Sequence, residues 1–203
     1  MAYYPIFLEL KGRPCLVIGG GPIACRKAQA LLSCAAKVTV VSPQLGAGFQ
    51  RLAQARKIVW RKRLFRPGDL TGMQLAISAT DDQAVNKQVS RLAQRQGIWV
   101  NVVDQPRLCS FILSSVVRRG KLVLAISTGG ASPALAKWIR RDLERRYSPE
   151  FGRSLAGMAR ARKQVMGGGV SPRRRKKLFE QALRAYLRVI KRGRVDLAPG
   201  RRV

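Results

Sequence analysis

The 203-residue sequence predicts a doubly wound α/β fold, in which helices cover both faces of a parallel sheet, followed by a smaller helical part. Residues 14–18 form a continuous apolar run, as is typical of a parallel strand buried on both faces. A glycine cluster follows, then Ala24, Ala28 and Leu31 at helical spacing, then a second strand pattern at 37–41. This order is that of a βαβ unit.

The alternation continues to residue 103. The patterns are, in order, a helix at 46–56, a short strand at 57–60, a strand at 74–80, an amphipathic helix at 82–96 and a strand at 98–103. Either Asp81 or Asp82 is expected to cap the last of these helices.

The alternation ends after residue 109. Strand patterns at 110–117 and 121–127 are separated only by Arg118-Arg119-Gly120, which predicts an antiparallel hairpin. Helices are predicted at 134–146, at 149–165, and from Pro172 to Gly193 with Ser171 as its cap. The patterns therefore run from alternating strands and helices, through a hairpin and one helix, to two basic helices.

The charge is strongly basic, with 40 Lys and Arg against 10 Asp and Glu and a net charge of +30. The 53 residues after Glu150 carry 16 basic and 2 acidic groups. Such a field favours an anionic partner, which can be nucleic acid, an acidic membrane surface or a polyanionic small molecule. Charge alone does not choose among them.

Several classes of site are excluded. The sequence has no histidine, so it holds no Ser-His-Asp or Cys-His system and no His-ligated zinc. Its cysteines form no C-x-x-C pair, and we interpret them as small buried residues: Cys15, Cys25, Cys34 and Cys109. No apolar run is long enough to span a membrane and the start is not a signal peptide, so we expect a cytoplasmic protein.

The glycine cluster carries the first candidate site. Gly19-x-Gly21-x-x-Ala24 is a dinucleotide fingerprint, and it follows a buried strand and opens a helix, which is the context that such a site requires. NAD enzymes usually place Asp or Glu at the end of the second strand, where this sequence has Ser42 without an adjacent arginine. The choice between NAD and its phosphorylated form therefore stays open.

Asp104 is the second candidate. It lies at the carboxyl end of the fifth predicted strand, where open α/β sheets bind ligands, and it precedes Gln105-Pro106 rather than a helix that it could cap. It is a candidate acid or base; the alternative is a turn aspartate before proline.

Five motifs in this order and at this spacing resemble one known family. They are Pro5-Ile-Phe-Leu, Gly19-Gly-Gly-Pro-Ile-Ala-x-Arg-Lys, Ala79-Thr-Asp-Asp82, Asn101-Val-Val-Asp104 and Ser127-Thr-Gly-Gly-x-Ser-Pro133. Together they are similar to the dehydrogenase/ferrochelatase module of siroheme synthase, closely over residues 1–150 and loosely beyond. The resemblance implies NAD-dependent oxidation of precorrin-2 to sirohydrochlorin, followed in many members by insertion of ferrous iron. It also implies a homodimer whose subunit has three parts: an NAD-binding Rossmann-type domain at 1–109, a dimerisation region of hairpin and helix at 110–148, and a basic helical domain at 149–203.

The resemblance also implies roles for particular residues. Asp104 becomes the acid/base group. The sequence shows no dedicated metal site, so the metal contact stays unknown, with Asp104 and the macrocycle left open as a transient one. The cofactor contacts are Gly19, Gly21, Pro22, Ile23, Ser42, Pro43, Gln44, Thr80 and Asp81. The substrate contacts are Asn101, Ser110 and Thr128, the last of which replaces a serine of the family that is phosphorylated in some members. A polycarboxylate tetrapyrrole suits the basic charge.

Three alternatives stay open. The protein can be a dehydrogenase without chelatase activity. It can be a non-enzymatic NAD-sensing regulator, which does not need Asp104. It can also be a basic Rossmann-fold protein that binds nucleic acid through the run at 173–177, although no aromatic residues interleave with that run. We expect no specific nucleic-acid partner and no membrane partner.

Overall fold

The computed structural model describes residues 3–167 and 171–192. The chain divides into two compact units, Met1–Leu113 and Ser114–Val203, and each is described by itself. The domain boundaries after residues 109 and 148 stay predictions. Within the described residues, no helix is long and apolar enough to cross a membrane.

The first unit is built on a five-stranded, fully parallel sheet. Its strands are β1 (Pro14–Ile18), β2 (Lys37–Val41), β3 (Val59–Arg61), β4 (Leu75–Ser78) and β5 (Trp99–Val102). Their spatial order is β3-β2-β1-β4-β5. Strands are added outwards from β1 to one side and then, from β4, to the other side, so the strand order switches between β1 and β4. The predicted doubly wound fold is confirmed, and the carboxyl ends of all five strands meet at one edge, where such sheets bind ligands.

Helices pack on both faces of this sheet. One face is covered by α1 (Pro22–Leu32) and α2 (Ala47–Gln54), with Ala24, Ala28 and Phe49 fully buried against strand residues such as Val17. The other face is covered by α3 (Gln83–Arg95), whose Val89 and Ala93 are fully buried. A 3-10 helix, Pro67–Leu70, packs on that second face through Leu70.

The second unit starts with an antiparallel hairpin of β6 (Ser115–Arg119) and β7 (Leu122–Ile126). Three helices follow: α4 (Pro133–Arg146), α5 (Pro149–Gly167) and α6 (Pro172–Arg192). Arg119 joins the hairpin to the end of α4, because its guanidinium donates to the carbonyls of Glu144 and Tyr147. Gly152 of α5 packs directly on the backbone at Arg119.

Two predicted elements start two or more residues away from their predicted starts. β3 starts at Val59 rather than at residue 57, because residues 55–58 close the end of α2, where Arg56 has a φ of +51° and the N–H of Lys57 donates to Leu52. β6 starts at Ser115 rather than at residue 110, because Ser110 pairs with the backbone of Val100. The hairpin turn is consequently Gly120-Lys121, between the paired Arg119 and Leu122. The predicted break at 167–169 and the end at Gly193 lie partly outside the described residues.

Candidate functional site

The glycine loop between β1 and α1 is packed tightly against two neighbouring loops. Gly19 has a φ of +115°, and a Cβ at this position would lie 2.3 Å from the carbonyl oxygen of Ala79. A Cβ on Gly20 would lie 1.9 Å from the carbonyl oxygen of Gln44. The N–H of Gly46 donates to the carbonyl of Gly20 at 3.0 Å. These contacts bring the ends of β1, β2 and β4 together at one edge.

Gly21 differs from its two neighbours because nothing lies within 4 Å of the position that its Cβ would take. It is the N-cap of α1 and supplies no side chain to the first-turn amides, and Pro22 and Ile23 after it are both exposed. The open side of the loop is therefore the side on which backbone N–H groups and the helix dipole favour a phosphate. These features fit the pyrophosphate of a dinucleotide.

The loop after β2 contributes Ser42, which is 8% exposed. Its hydroxyl donates to the carbonyl of Gln44 at 2.7 Å, and its own carbonyl accepts from Nε1 of Trp60 at 2.9 Å. Pro43 and Gln44 are exposed on the same loop. Because the Ser42 proton is already donated, only its oxygen lone pairs are available to a ribose hydroxyl.

The loop after β4 is held by a buried amide. Asn86 of α3 is 2% exposed; it donates from Nδ2 to the carbonyl of Thr80 at 2.9 Å and accepts from Ser78 at 2.7 Å. Asp82 is the N-cap of α3 and accepts from the N–H groups of Ala84 and Val85, which confirms one of the two predicted caps. Asp81 is exposed and makes no such cap, so its carboxylate stays available at this edge.

Asp104 lies directly beyond β5 at the same edge of the sheet. It is exposed, and its φ is +59°, in the left-handed region that Asp adopts more readily than most residues. The N–H of the preceding Val103 donates to the carbonyl of Ser78, which ties the end of β5 to that of β4. The predicted position at a carboxyl end is confirmed, and its left-handed backbone agrees with the absence of a following α-helix for it to cap.

Asn101 and Ser110, the predicted substrate residues of this unit, both make hydrogen bonds to the backbone. Asn101, 8% exposed, donates from Nδ2 to the carbonyl of Phe111 at 3.0 Å and to the Cys109 sulfur at 3.5 Å. Ser110 accepts from the N–H of Val100 at 2.8 Å. Both therefore fix the segment that runs back along β5.

Thr128 belongs to the second unit. Its hydroxyl accepts from the N–H of Ser132 and donates to the carbonyl of the same residue. Ser132 in turn caps α4 by accepting from the N–H of Leu135. The Thr128 hydroxyl thus shapes the turn in which Gly129 and Gly130 both have positive φ values.

A buried aspartate, Asp69, is paired with two partly exposed arginines beside the end of β3. Asp69 is 1% exposed and accepts from Arg61, from Arg63 and from the backbone N–H of Arg66. Burial opposes its charge, but these hydrogen bonds outweigh burial and lower the pKa of Asp69 to about 2. These ion pairs anchor the strand next to the Ser42 loop.

Metal and thiol chemistry find little support in the described residues. They contain no group of three or more His, Cys, Asp or Glu side chains that could hold a metal ion. The four cysteines are thiols, and burial, with a smaller effect of Cys34, raises the pKa of Cys15 to about 11. Burial also raises the pKa values of Cys25 and Cys109. Protonated thiols are poor nucleophiles and poor metal ligands.

Sequence reasoning missed two residues that shape this site. Gly20 is as tightly enclosed as Gly19, although the fingerprint counts it as a variable position. Asn86 could have been found from the sequence. It is four residues after Asp82 and three before Val89, so it lies on the buried, sheet-facing side of its helix, where a polar side chain needs a partner.

Comparison with known proteins agrees with this geometry. A family model described as "Putative NAD(P)-binding" matches residues 6–115, and a model described as "Sirohaem biosynthesis protein central" matches residues 119–146. The chain belongs to this NAD(P)-binding family, whose model spans more than half of its length.

The relatives of the chain within this family include siroheme synthases. The siroheme synthase of Methylococcus capsulatus is 42% identical over 183 residues, which are 90% of this chain and 39% of the relative. The siroheme synthase of Photorhabdus laumondii is 39% identical over 199 residues, 98% of this chain and 42% of the relative. The chain is homologous to the N-terminal module of siroheme synthases and spans about two fifths of these relatives.

A solved structure covers nearly the whole chain. The precorrin-2 dehydrogenase SirC superposes with a TM-score of 0.76 at 29% sequence identity, over 94% of this chain and 100% of SirC. The resemblance inferred from the five motifs is thereby confirmed.

Proposed function

We propose that this chain oxidises precorrin-2 to sirohydrochlorin with NAD as hydride acceptor. The observation that carries the proposal is the meeting, at one sheet edge, of a glycine loop open at Gly21 and of Asp104 beyond β5. The similarity to SirC, a precorrin-2 dehydrogenase, supports the same reaction.

The dinucleotide would be held by the three loops of this edge. Gly19, Gly21, Pro22 and Ile23 would surround the pyrophosphate. Ser42, Pro43 and Gln44 would lie beside the adenosine ribose, and Thr80 and Asp81 would contact the cofactor from the loop after β4, on the other side of the glycine loop. When bound, the cofactor supplies the hydride acceptor. The residues of the chain supply its orientation, because the interlocked backbones at Gly19 and Gly20 fix the loop before any ligand arrives.

Asp104 would accept the proton that leaves the macrocycle as the hydride departs. Its carboxylate is exposed at the sheet edge, so substrate can reach it, and its left-handed backbone sets the direction of its side chain. A positioned carboxylate is a competent general base. Asn101, Ser110 and Thr128 complete the proposal as substrate contacts, and the net charge of +30 attracts a polycarboxylate tetrapyrrole.

Iron insertion is the second part of the proposal. Pyrrole N–H protons must leave as ferrous iron enters, and Asp104 can serve as the base for this step as well. The iron is then a substrate, contacted by the macrocycle and transiently by Asp104. The competing form of the proposal is a dehydrogenase alone, and anaerobic addition of ferrous iron distinguishes the two by the presence or absence of siroheme.

The proposed setting is a cytoplasmic homodimer without a specific nucleic-acid partner. Four cysteine thiols suit a reducing compartment. The second unit exposes Val116, Leu135 and Trp138 by 41%, 48% and 61%, apolar surface that a second copy would cover. Sedimentation equilibrium tests the dimer. Nucleic-acid titration at rising salt tests the last point, since nonspecific phosphate binding weakens steeply with ionic strength.

The experiment for the main proposal is an anaerobic assay of purified protein with precorrin-2 and NAD, which follows NADH absorbance as sirohydrochlorin forms. NADH that appears only with both substrates supports the dehydrogenase. A folded protein that produces none, with NAD or its phosphorylated form, rejects it.

A further inference from the structure

Lys27 lies on α1, six residues after Gly21 of the glycine loop, and its side chain is half-buried. The buried face of α1 is formed by Ala24, Ala28 and Leu31. At about 100° per residue, Lys27 lies on one flank of that face and Cys25 on the other. Cys25 is the flank that contacts α2, because its sulfur would lie 2.9 Å from a Cβ on Gly48. Lys27 is thus on the flank away from α2, towards β4 and β5.

Two residues of the chain beyond β5 lie on the face of the sheet that α1 covers, whereas Leu108 and Cys109 between them pack on the face that α3 covers. Val103 and Phe111 both pack against the apolar cluster that contains Ala24 and Ala28. Asn101 holds Phe111 there through the carbonyl of Phe111. Val103, the residue directly before Asp104, is therefore on the same face of the sheet as Lys27.

Lys27 forms no ion pair within the described residues. Burial and the neighbouring Arg26 lower the pKa of Lys27, while Asp104 acts in the opposite direction, so the two side chains are within electrostatic reach. Among the residues that the structure describes, however, the Lys27 ammonium has no salt-bridge or hydrogen-bond partner, and neither has the Asp104 carboxylate. A partly desolvated cation with no partner favours an anionic ligand.

The proposed pyrophosphate position is at the N-terminus of α1, and Lys27 is six residues, or about 9 Å along the helix axis, beyond Gly21. The acidic group that acts on Lys27 electrostatically is Asp104, so the ligand expected beside Lys27 is the one that Asp104 must reach. The remaining anionic ligand of the proposed function is the tetrapyrrole, whose acidic side chains surround the ring that Asp104 must reach.

We propose that Lys27 is a positioning residue that binds one peripheral carboxylate of the tetrapyrrole and thereby holds the macrocycle beside Asp104. This inference rests on the proposed function and deepens it. It assigns Lys27 a role in substrate binding and orientation, with no part in proton transfer and none in dinucleotide binding.

The test compares Lys27→Met, Lys27→Arg and the control Lys37→Met. Lys37 is an exposed lysine at the start of β2, at the opposite edge of the sheet. The probe is uroporphyrin, a stable porphyrin polycarboxylate, titrated by fluorescence at fixed salt, with NAD titrated separately. We expect Lys27→Met to raise the Kd for uroporphyrin by about tenfold, as for the loss of one hydrogen bond to a charged group. Lys27→Arg should restore most of the affinity, and Lys37→Met should change it little.

Turnover with precorrin-2 supplies the second readout. Lys27→Met should raise KM more than it lowers kcat, and the Kd for NAD should stay at the wild-type value. The inference is overturned if uroporphyrin does not bind the wild type, if Lys27→Met binds it normally, or if Lys37→Met weakens it equally. Failure of the proposed function looks different: the wild type then produces no NADH, whatever the uroporphyrin titrations give.

Discussion

Substitution of adjacent glycines by alanine separates folding of the glycine loop from its ligand binding. In Gly20→Ala the new methyl would lie 1.9 Å from the carbonyl oxygen of Gln44 and 2.6 Å from the Ser42 hydroxyl oxygen. The Gln44 contact is with backbone, so the whole 42–46 loop must shift. Overpacking of this kind costs about 2 kcal/mol, which lowers Tm by roughly 4–8 °C in a chain of this size.

Gly21→Ala is expected to change NAD binding rather than stability. Nothing lies within 4 Å of the new methyl, and the backbone at φ −79° and ψ 178° suits alanine. Stability should change by less than about 0.5 kcal/mol, because the gain from restricting the unfolded chain is offset by the loss of a glycine N-cap. The methyl occupies the space through which a pyrophosphate would approach, so we expect the Kd for NAD to rise at least tenfold, or about 1.4 kcal/mol.

Thermal unfolding and isothermal titration with NAD measure both effects on the same samples. The expected pattern is crossed: Gly20→Ala loses stability, and Gly21→Ala loses NAD binding while it keeps its fold. Wild-type affinity in Gly21→Ala would refute the placement of the pyrophosphate at this glycine. A loss of stability in Gly21→Ala equal to that in Gly20→Ala would refute the open geometry of the loop.

Two further predictions concern carboxylates with structural roles. The folded pKa of Asp69 is depressed to about 2 from an ordinary 3.8, so the stability that its charge contributes is complete above pH 3.8 and is lost as the pH falls through about 2. At 1.36 kcal/mol per pKa unit, this contribution is about 2 kcal/mol. Urea unfolding between pH 5 and pH 2 should therefore show less loss of stability in Asp69→Asn than in the wild type. An identical pH dependence of the free energy of unfolding in the variant and the wild type would contradict this prediction. Asp82→Ala removes the cap of α3 and should cost about 1 kcal/mol by denaturant unfolding, whereas Asp81→Ala should cost less than about 0.5 kcal/mol; equal effects would contradict the assignment of the cap.

The parallel sheet and the glycine turn could be predicted because their signals are local. A buried parallel strand is a short apolar run, and the turn after β1 needs glycine at Gly19 whatever surrounds it. The end of β5 was predictable for the same reason, and it placed Asp104 at the correct edge.

Features that depend on distant parts of the chain could not be predicted. Gly20 is required because residue 44 returns against it, and Asp69 is buried because Arg61 at the end of β3 and Arg63 just after it fold over it. The start of β6 was misplaced because Ser110, which fits a strand pattern, pairs with the edge of the first sheet instead. In each case, the partner is set by the tertiary fold.

The most direct test of the proposed reaction is the rate of NADH formation from precorrin-2 and NAD under anaerobic conditions, with wild type and Asp104→Asn side by side. Asparagine tolerates the left-handed backbone at φ +59°, so the variant should keep its fold while it loses the carboxylate. We predict steady NADH formation by the wild type and a rate lower by about 100-fold or more in the variant, as for the loss of a general base. A folded wild type that forms no NADH, or an Asp104→Asn variant that matches its rate, would contradict the assignment of Asp104 as the base of a precorrin-2 dehydrogenase.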